Sequence, residues 1–408
     1  MKKLHYAWAV CLGCALFMFV SAGLTGNAFS VVQPYILAQN GFTNTQTSMI
    51  MTVRSLAYLA CMFLMPWYYR LFGYRRGGAL SVLLAAAAFA LFALADKLYL
   101  YYLAGLIAGL CAGFGSIVPA TILITRWFYE KHGLALGICT ASTGLATVIF
   151  SPILTRLIER YSLAVCFWVL AGFCLLLTFA VWLLLRDSPE SCSKTPYGVR
   201  QDSPGKPIRR SVPELHRARW AILLIAACLM GSISTPAFTH VMILFTTSGV
   251  PTQTASLCIS IFGIALMLGK CIYGESCDLL GSRRTNWLFG GMLCAGLLLC
   301  ALSDLHISFF PFAAAILFGL GIPIGTVGVS VWAEDFTNEA HFDWALRLLQ
   351  TGSSAGSLLF SFMPGMIADL TGSYAPAYFI FLGFMVFILL VVQSTYYKIA
   401  RASAREGA

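Results

Sequence analysis

Long apolar stretches alternate with short polar segments along the whole chain. A helix that crosses a bilayer needs about 20 apolar residues, and twelve stretches approach or exceed that length. The pattern therefore predicts an all-α integral membrane protein with twelve transmembrane helices. We place them near residues 7–32, 46–69, 78–95, 98–126, 133–156, 162–185, 219–248, 253–277, 285–303, 307–333, 344–368 and 373–397.

Composition supports the membrane assignment. Of 408 residues, 59% are hydrophobic and 10% are charged, and the mean hydropathy of +0.82 excludes a water-soluble domain. Lys2 and Lys3 before an apolar run imitate a secretory signal. However, the run Ala7–Val32 exceeds the core of about 7–15 residues that such signals have. We interpret it as the first helix.

A Pro-rich and basic segment separates the sixth and seventh helices. Its composition is typical of a solvated linker. We predict an N-terminal six-helix bundle at 1–185, a cytoplasmic linker at 186–218, and a C-terminal six-helix bundle with a short cytoplasmic tail at 219–408.

The distribution of basic residues predicts the orientation. If the N-terminus is inside, 20 of the 26 Lys and Arg residues fall in inside segments, and only Lys97, Arg156 and Arg160 fall outside. Inside loops of membrane proteins carry this excess. We therefore predict a multi-pass protein of the inner or plasma membrane with both termini cytoplasmic. The net charge of +10 then reflects topology and does not indicate nucleic-acid binding.

One loop pattern occurs twice, 208 residues apart. Glycine lets helices approach closely, and an aspartate accepts hydrogen bonds from a neighbouring helix N-terminus. The arginine pairs belong on the cytoplasmic face. The second copy consists of Gly274, Asp278, Gly281, Arg283 and Arg284, and the first copy retains Gly73, Arg75 and Arg76.

This loop resembles that of the major facilitator superfamily, in which the second and third helices of each half are joined by G-x-x-x-D-[RK]-x-G-[RK]-[RK]. The second copy departs from it at Leu279, and the first has Pro66 for the glycine and Arg70 for the aspartate. The resemblance implies two six-helix bundles related by a pseudo-twofold repeat, each built of inverted three-helix repeats. It also implies a mid-membrane substrate site at the bundle interface and transport by alternating access.

Two further segments resemble the monocarboxylate and oxalate/formate branch of that superfamily. They are Arg126–Gly137, similar to R-W-F-x-x-[KR]-x-G-x-A-x-G, and Gly365-x-x-x-Asp369 before the last helix. This branch carries a Gly-Arg pair late in the eighth helix, where this chain has Gly269-Lys270. Animal carriers place an aspartate four residues earlier, where Leu266 stands here, which argues against their style of proton coupling.

Few ionisable residues lie within the predicted spans. They are Arg54, His240, Lys270 and Arg347. A charge at mid-membrane costs about 2.5–3.5 kcal/mol, so each cation needs a partner. No buried Asp or Glu is available within these spans as a partner, since Glu275 belongs near the cytoplasmic end of its span. The missing counter-charge is then an anionic substrate.

Lys270 and Arg54 are the chief candidates for holding the anion. Tyr58 lies one turn after Arg54 on the same face and can add a hydrogen bond. The alternative for Lys270 is snorkelling to the cytoplasmic face. The alternative for Arg54 is that its side chain extends to the outer membrane surface or forms a structural hydrogen bond to a carbonyl at a helix end.

The remaining candidates are polar residues of the spans. His240 is either a proton carrier near neutral pH or a structural hydrogen-bonder. Arg347 is either a site residue or a cytoplasmic-end residue. Asn27 and Gln350 are candidate pore-lining residues.

We predict a secondary transporter of a small organic anion, a mono- or dicarboxylate, operating as a symporter or antiporter. The sequence has no Walker loop or HExxH motif, and its one Gly-x-Ser-x-Gly match, at 352–356, lies inside a predicted span and not on an elbow. The 14 cysteines include one C-x-x-C pair, Cys11 and Cys14, without a second pair or a histidine at metal spacing. We therefore expect neither an enzyme nor a cofactor nor a metal. The expected partners are the small anionic solute and the lipid bilayer, and we expect the protein to be a monomer.

Two alternative functions remain. One is an exporter of amphipathic drugs, which would have an acidic and aromatic cavity, and the other is a non-transporting membrane sensor. Solute, coupling ion and flux direction stay open.

The predicted orientation can be tested with reporter fusions at Gly198. A reporter active only in the periplasm should be inactive there, and one active only in the cytoplasm should be active, because the basic linker is predicted to stay inside. The reverse pattern of activities would show that the assigned orientation is inverted.

Overall fold

A computed structural model describes residues 5–192, 194–198, 215–338 and 341–406, and these are almost entirely helical. Each of the twelve predicted spans contains an observed helix. By length and composition, 9 helical stretches of the described residues are long and apolar enough to cross a membrane. The predicted all-helical membrane fold is confirmed.

The chain divides into two compact units, Met1–Asp202 and Ser203–Ala408. Residues 199–214 of the predicted linker lie outside the described part of the chain. The first unit contains α1 Tyr6–Met18, α2 Gln33–Asn40, α3 Asn44–Leu94, α4 Leu98–Phe114, α5 Ile117–Trp127, α6 His132–Arg160 and α7 Leu163–Leu184. The second contains α8 Arg217–Ser232, α9 Val241–Thr247, α10 Thr252–Leu280, α11 Ser282–Ala301, α12 Phe310–Gly321, α13 Pro323–Thr326, α14 Gly328–Asp335, α15 Phe342–Phe360, α16 Met363–Thr371 and α17 Ala375–Glu406.

Helix α3 makes two membrane crossings. Its 51 residues would span about 76 Å if straight, more than twice the hydrocarbon thickness of about 30 Å. The chain breaks at Gly73, with φ 70° and ψ 173°. Gly281, which separates α10 from α11, has φ 81° and ψ 146°. Since essentially only glycine adopts this backbone region, the 208-residue repeat encodes one turn in both units.

The first helix of each unit widens near its middle. Helix α1 continues as a π-helix, Phe19–Asn27, and α8 continues as a shorter one, Ile233–Ala237. Pro236 in the second of these has no N–H to donate, so a carbonyl of the preceding turn needs another partner. Ser357 Oγ donates to the Gly231 carbonyl there at 2.8 Å, and the Tyr378 hydroxyl donates to the Ala237 carbonyl at 2.6 Å. Protein side chains thus complete the interrupted backbone.

The beginning of the predicted linker is not a solvated segment. The Asp187 carboxylate accepts from the backbone N–H groups of Tyr74 at 2.5 Å and Arg75 at 2.8 Å. Further along, Tyr197 pairs with Phe128 in an isolated β-bridge. Residues 186–192 and 194–198 therefore belong to the first unit, because an acid at a helix N-terminus and buried aromatic contacts hold them there.

Glycines let several helices touch along their backbones. Gly109 brings α4 against α3, where an added Cβ would lie 3.0 Å from the backbone carbonyl carbon of Arg54. In the second unit, a Cβ at Gly231 of α8 would lie 2.6 Å from the carbonyl carbon of Ser353 in α15. Backbone atoms cannot move aside as a side chain can, so both contacts require glycine.

Gly231→Ala should therefore lower the unfolding temperature of the purified protein. The added methyl forces α8 and α15 apart, and overpacking of this kind costs about 1–3 kcal/mol. The matched control is Gly383→Ala in α17, where an added Cβ meets nothing within 4 Å. That variant should be neutral or slightly stabilising, since alanine favours helix by about 0.5–1 kcal/mol. Equal unfolding temperatures for the two variants would contradict the tight contact.

Candidate functional site

Arg54 is a buried cation held by neutral groups. It is 9% exposed, and its Nη2 donates to Thr25 Oγ1 at 3.2 Å and to the Ser21 carbonyl at 3.5 Å. Its Nε is buried without a hydrogen bond to any described residue, and no described carboxylate contacts the guanidinium. The group therefore has spare donors and an uncompensated charge.

The π-helix of the first span positions this guanidinium. Gly26 leaves room for it, because an added Cβ there would lie 3.0 Å from Nη2. Ser21 Oγ in turn donates to the Gly115 carbonyl, at the end of α4, at 2.5 Å. Gly109 of α4 packs against the Arg54 backbone carbonyl. Three parts of the first unit thus converge on one side chain.

Two of the predicted residues lie close to Arg54 in the chain or along its helix. Tyr58 is one turn further along α3 on the same face, half-buried, and its hydroxyl has no hydrogen bond within the described residues. Asn27 follows Gly26 and is half-buried at the end of the π-helix. The structure brings these three candidates into one region of the first unit.

Lys270 does not face the exposed apolar side of its helix. It lies ten residues before the end of α10, about 15 Å along the axis, and is partly buried. At 100° per residue, Lys270 is about 150° from the midline of the exposed stripe. The side chain does not extend among lipid-facing residues, which weakens the snorkelling alternative. The stripe consists of Leu257, Ile264, Leu268 and Ile272.

His240 satisfies a break in the backbone. It is fully buried after the second π-helix, with Nδ1 at 2.8 Å from the Pro236 carbonyl oxygen. Since a carbonyl only accepts, Nδ1 carries the proton. The ring also stacks on Tyr374, with 5.9 Å between centroids. This arrangement favours the structural interpretation over a proton carrier exchanging with water.

Helix α15 carries the last two candidates. Arg347 is exposed near the start of the helix, and Gln350 Nε2 lies 3.5 Å from Ser330 Oγ. They belong to a longer polar face that sequence analysis overlooked, although its spacing of three and four residues was visible. The face contains Arg347, Gln350, Thr351, Ser354, Ser357 and Ser361.

The second loop motif behaves differently from its prediction. An added Cβ at Gly274 would meet no described atom within 4 Å, so the predicted close helix approach is not observed there. Asp278 is exposed and forms no hydrogen bond within the described residues. Arg283 and Arg284 are exposed in the first turn of α11, and the Arg283 carbonyl accepts from Gln393 Nε2 at 3.0 Å. Turn geometry at Gly281 is the part of the motif that the structure uses.

In the first loop, the missing aspartate is replaced from a distant position. Asp187 caps the helix after Gly73, as described above, where Arg70 occupies the usual acidic position. Arg75 donates from Nε to the Trp182 carbonyl at 2.9 Å and lies over that ring at 4.4 Å. Arg76 is exposed. Sequence spacing gave no signal for Asp187, because it lies 113 residues from Tyr74.

The fold and these elements match a known class of protein. A family model described as Major Facilitator Superfamily matches residues 14–251, more than half of the chain. The chain belongs to this superfamily and is a multi-pass membrane transporter that acts on a small solute.

Several relatives of this chain are named as monocarboxylate transporters or as a probable transporter. Monocarboxylate transporter 12 of Xenopus laevis is 23% identical over 426 residues, covering 95% of this chain and 88% of that protein. The probable transporter MCH2 of Saccharomyces cerevisiae is 24% identical over 339 residues, covering 80% of this chain and 67% of that protein. The predicted resemblance to the monocarboxylate branch is confirmed.

Solved structures support the fold alone. The nucleoside transporter NupG aligns with a TM-score of 0.74 at 14% identity, covering 95% of this chain and 99% of that one. A bacterial homolog to the human lysosomal transporter Spinster aligns with a TM-score of 0.66 at 14% identity, covering 97% and 96%.

Proposed function

We propose that this protein carries a small organic anion, a mono- or dicarboxylate, across the cell membrane by alternating access, with both termini cytoplasmic. The environment of Arg54 is the main support for this proposal. Its guanidinium is buried in a span, has no carboxylate partner among the described residues, and keeps an Nε donor without a hydrogen bond.

The chemistry of Arg54 fits a carboxylate. A guanidinium presents donors in a planar fork that matches two carboxylate oxygens, and such charge-assisted pairs are about twice as strong as neutral hydrogen bonds. Thr25 and Ser21 fix the orientation of the fork without neutralising it. Tyr58 supplies a further hydroxyl on the same helix face. The monocarboxylate transporters among the relatives support the same substrate class.

We assign Lys270 to the same function, as the cation of the second unit. Its position on the side of α10 away from the exposed stripe supports this assignment. Lysine keeps the charge that arginine has in the related branch but lacks the fork, so it acts as a point charge.

The alternatives fit less well. A nucleoside or a cationic drug would leave Arg54 uncompensated, and the likeness to the nucleoside transporter is one of fold. Coupling through a carboxylate-borne proton is also disfavoured, because Leu266 stands at the acidic position and His240 is fully buried against a backbone carbonyl. We therefore favour exchange of one anion for another.

Arg54→Gln should weaken binding of the transported carboxylate by two to three orders of magnitude. Removing one partner of a poorly solvated ion pair costs about 3–5 kcal/mol, at about 1.4 kcal/mol per tenfold change. A screen of small carboxylates by ligand-induced thermal stabilisation of the wild type identifies the ligand, and titration of each variant gives its affinity.

Arg54→Lys is the matched variant, since it keeps the charge and loses the fork. It should bind more tightly than Arg54→Gln and more weakly than the wild type. If a correctly folded Arg54→Gln protein bound the ligand as the wild type does, the anion site at Arg54 would be ruled out. In that case the hydrogen bonds to Thr25 and Ser21 would be its entire role.

Lys270→Gln should abolish most transport in proteoliposomes, while Lys270→Arg should retain it, because only the first change removes the charge. The control is Lys97→Gln, in a predicted outside loop, which should transport normally. Surface expression of all three variants must be compared. Snorkelling predicts the opposite result, namely that Lys270→Gln is silent, because uncharged glutamine is cheaper to place in a span.

A further inference from the structure

A groove of about 430 Å³ lies in the first unit between α3 and α5. Its walls are apolar for most of their length and are formed by Met65, Pro66, Val118 and Ile122. Two guanidinium groups, those of Arg70 and Arg126, stand at one end. The apolar walls can contact the acyl chain of a lipid, and the basic end can contact its anionic headgroup.

Positive charge exceeds negative charge at this end of the groove. Arg70 is exposed and has no hydrogen bond or ion pair within the described residues. Arg126 donates from Nη1 to the backbone carbonyl of Asp187 at 3.2 Å and lies over the Tyr74 ring at 4.8 Å. The nearby Asp187 carboxylate accepts from two backbone N–H groups at Oδ1 and keeps its negative charge. Two guanidinium groups beside one carboxylate therefore leave this end of the groove with a net positive charge.

Exposed apolar side chains flank the groove. The α3 face beside it is exposed and apolar, with Phe63 71% and Trp67 65% exposed. On the other wall, Val118 is 44% exposed. Large exposed apolar side chains indicate contact with lipid, and exposed tryptophan is typical of the headgroup level. Since the basic end adjoins the arginine-rich loop, it belongs to the predicted cytoplasmic leaflet.

We propose that this groove binds one anionic phospholipid of the cytoplasmic leaflet. Its phosphate lies between Arg70 and Arg126, and an acyl chain lies along Met65, Val118 and Ile122. Guanidinium groups suit phosphate oxygens. An aspartate at position 70, as in the usual loop motif, would repel the phosphate, so the departure at Arg70 creates the site.

The test is native mass spectrometry of the full-length protein titrated with phosphatidylglycerol or phosphatidylcholine. The wild type should retain one phosphatidylglycerol in preference to phosphatidylcholine. Arg70→Gln and Arg126→Gln should each weaken retention about fivefold, corresponding to about 1 kcal/mol per basic residue. Val118→Trp, which fills the groove and leaves its charge unchanged, should abolish retention.

Arg401→Gln is the matched control, because Arg401 is an exposed basic residue on the same predicted side of the membrane, at the end of α17. It should leave retention unchanged, and millimolar inorganic phosphate should fail to displace the lipid. Equal losses for Arg401→Gln and Arg70→Gln would show general surface attraction. Displacement by phosphate would show a free-anion site. Either result, or unaffected binding in a folded Arg70→Gln/Arg126→Gln protein, would overturn the proposal.

Discussion

A bilayer supplies no hydrogen bonds to the backbone, and this constraint shapes the whole protein. Helices satisfy their own N–H and carbonyl groups, so the described spans are helical. Where the first helix of a unit widens into a π-helix, other side chains must complete the bonding. Arg54 does so at the Ser21 carbonyl, and His240 does so at the Pro236 carbonyl. Arg54 and His240 therefore both contact the backbone where it is interrupted.

The helices and their repeat could be predicted because both are local properties of the sequence. Spans follow from runs of apolar residues, and the paired turns follow from Gly73 and Gly281, whose backbone angles only glycine adopts readily. The role of Asp187 could not be predicted. It caps a helix more than a hundred residues away, and nothing in the spacing of charges indicates which acid will reach a given N-terminus.

Arg54 and Lys270 could be selected as candidate site residues from the sequence, but their surroundings could not be predicted. Arg54 and Lys270 are conspicuous because cations are rare in apolar runs. Their surroundings depend on helix rotation and on a π-helix, neither of which the apolar pattern specifies. The rotation of α10 changes the interpretation of Lys270, since it separates the ammonium from the lipid-facing stripe. The π-helix changes that of Arg54, since it brings a hydroxyl and a carbonyl to the guanidinium.

Neutral partners suit a transported anion better than a resident carboxylate would. An ion pair at 4 Å is worth about 4 kcal/mol at an effective dielectric constant near 20, so a substrate would have to displace a resident acid at comparable cost. The Thr25 hydroxyl and the Ser21 carbonyl orient the guanidinium while leaving its charge intact. The buried Nε has no hydrogen bond within the described residues, so under the proposed function a bound anion would satisfy a donor that the empty state leaves unsatisfied. On the same proposal, neutral solutes of similar size would bind less well, because they would leave that donor and the charge unsatisfied.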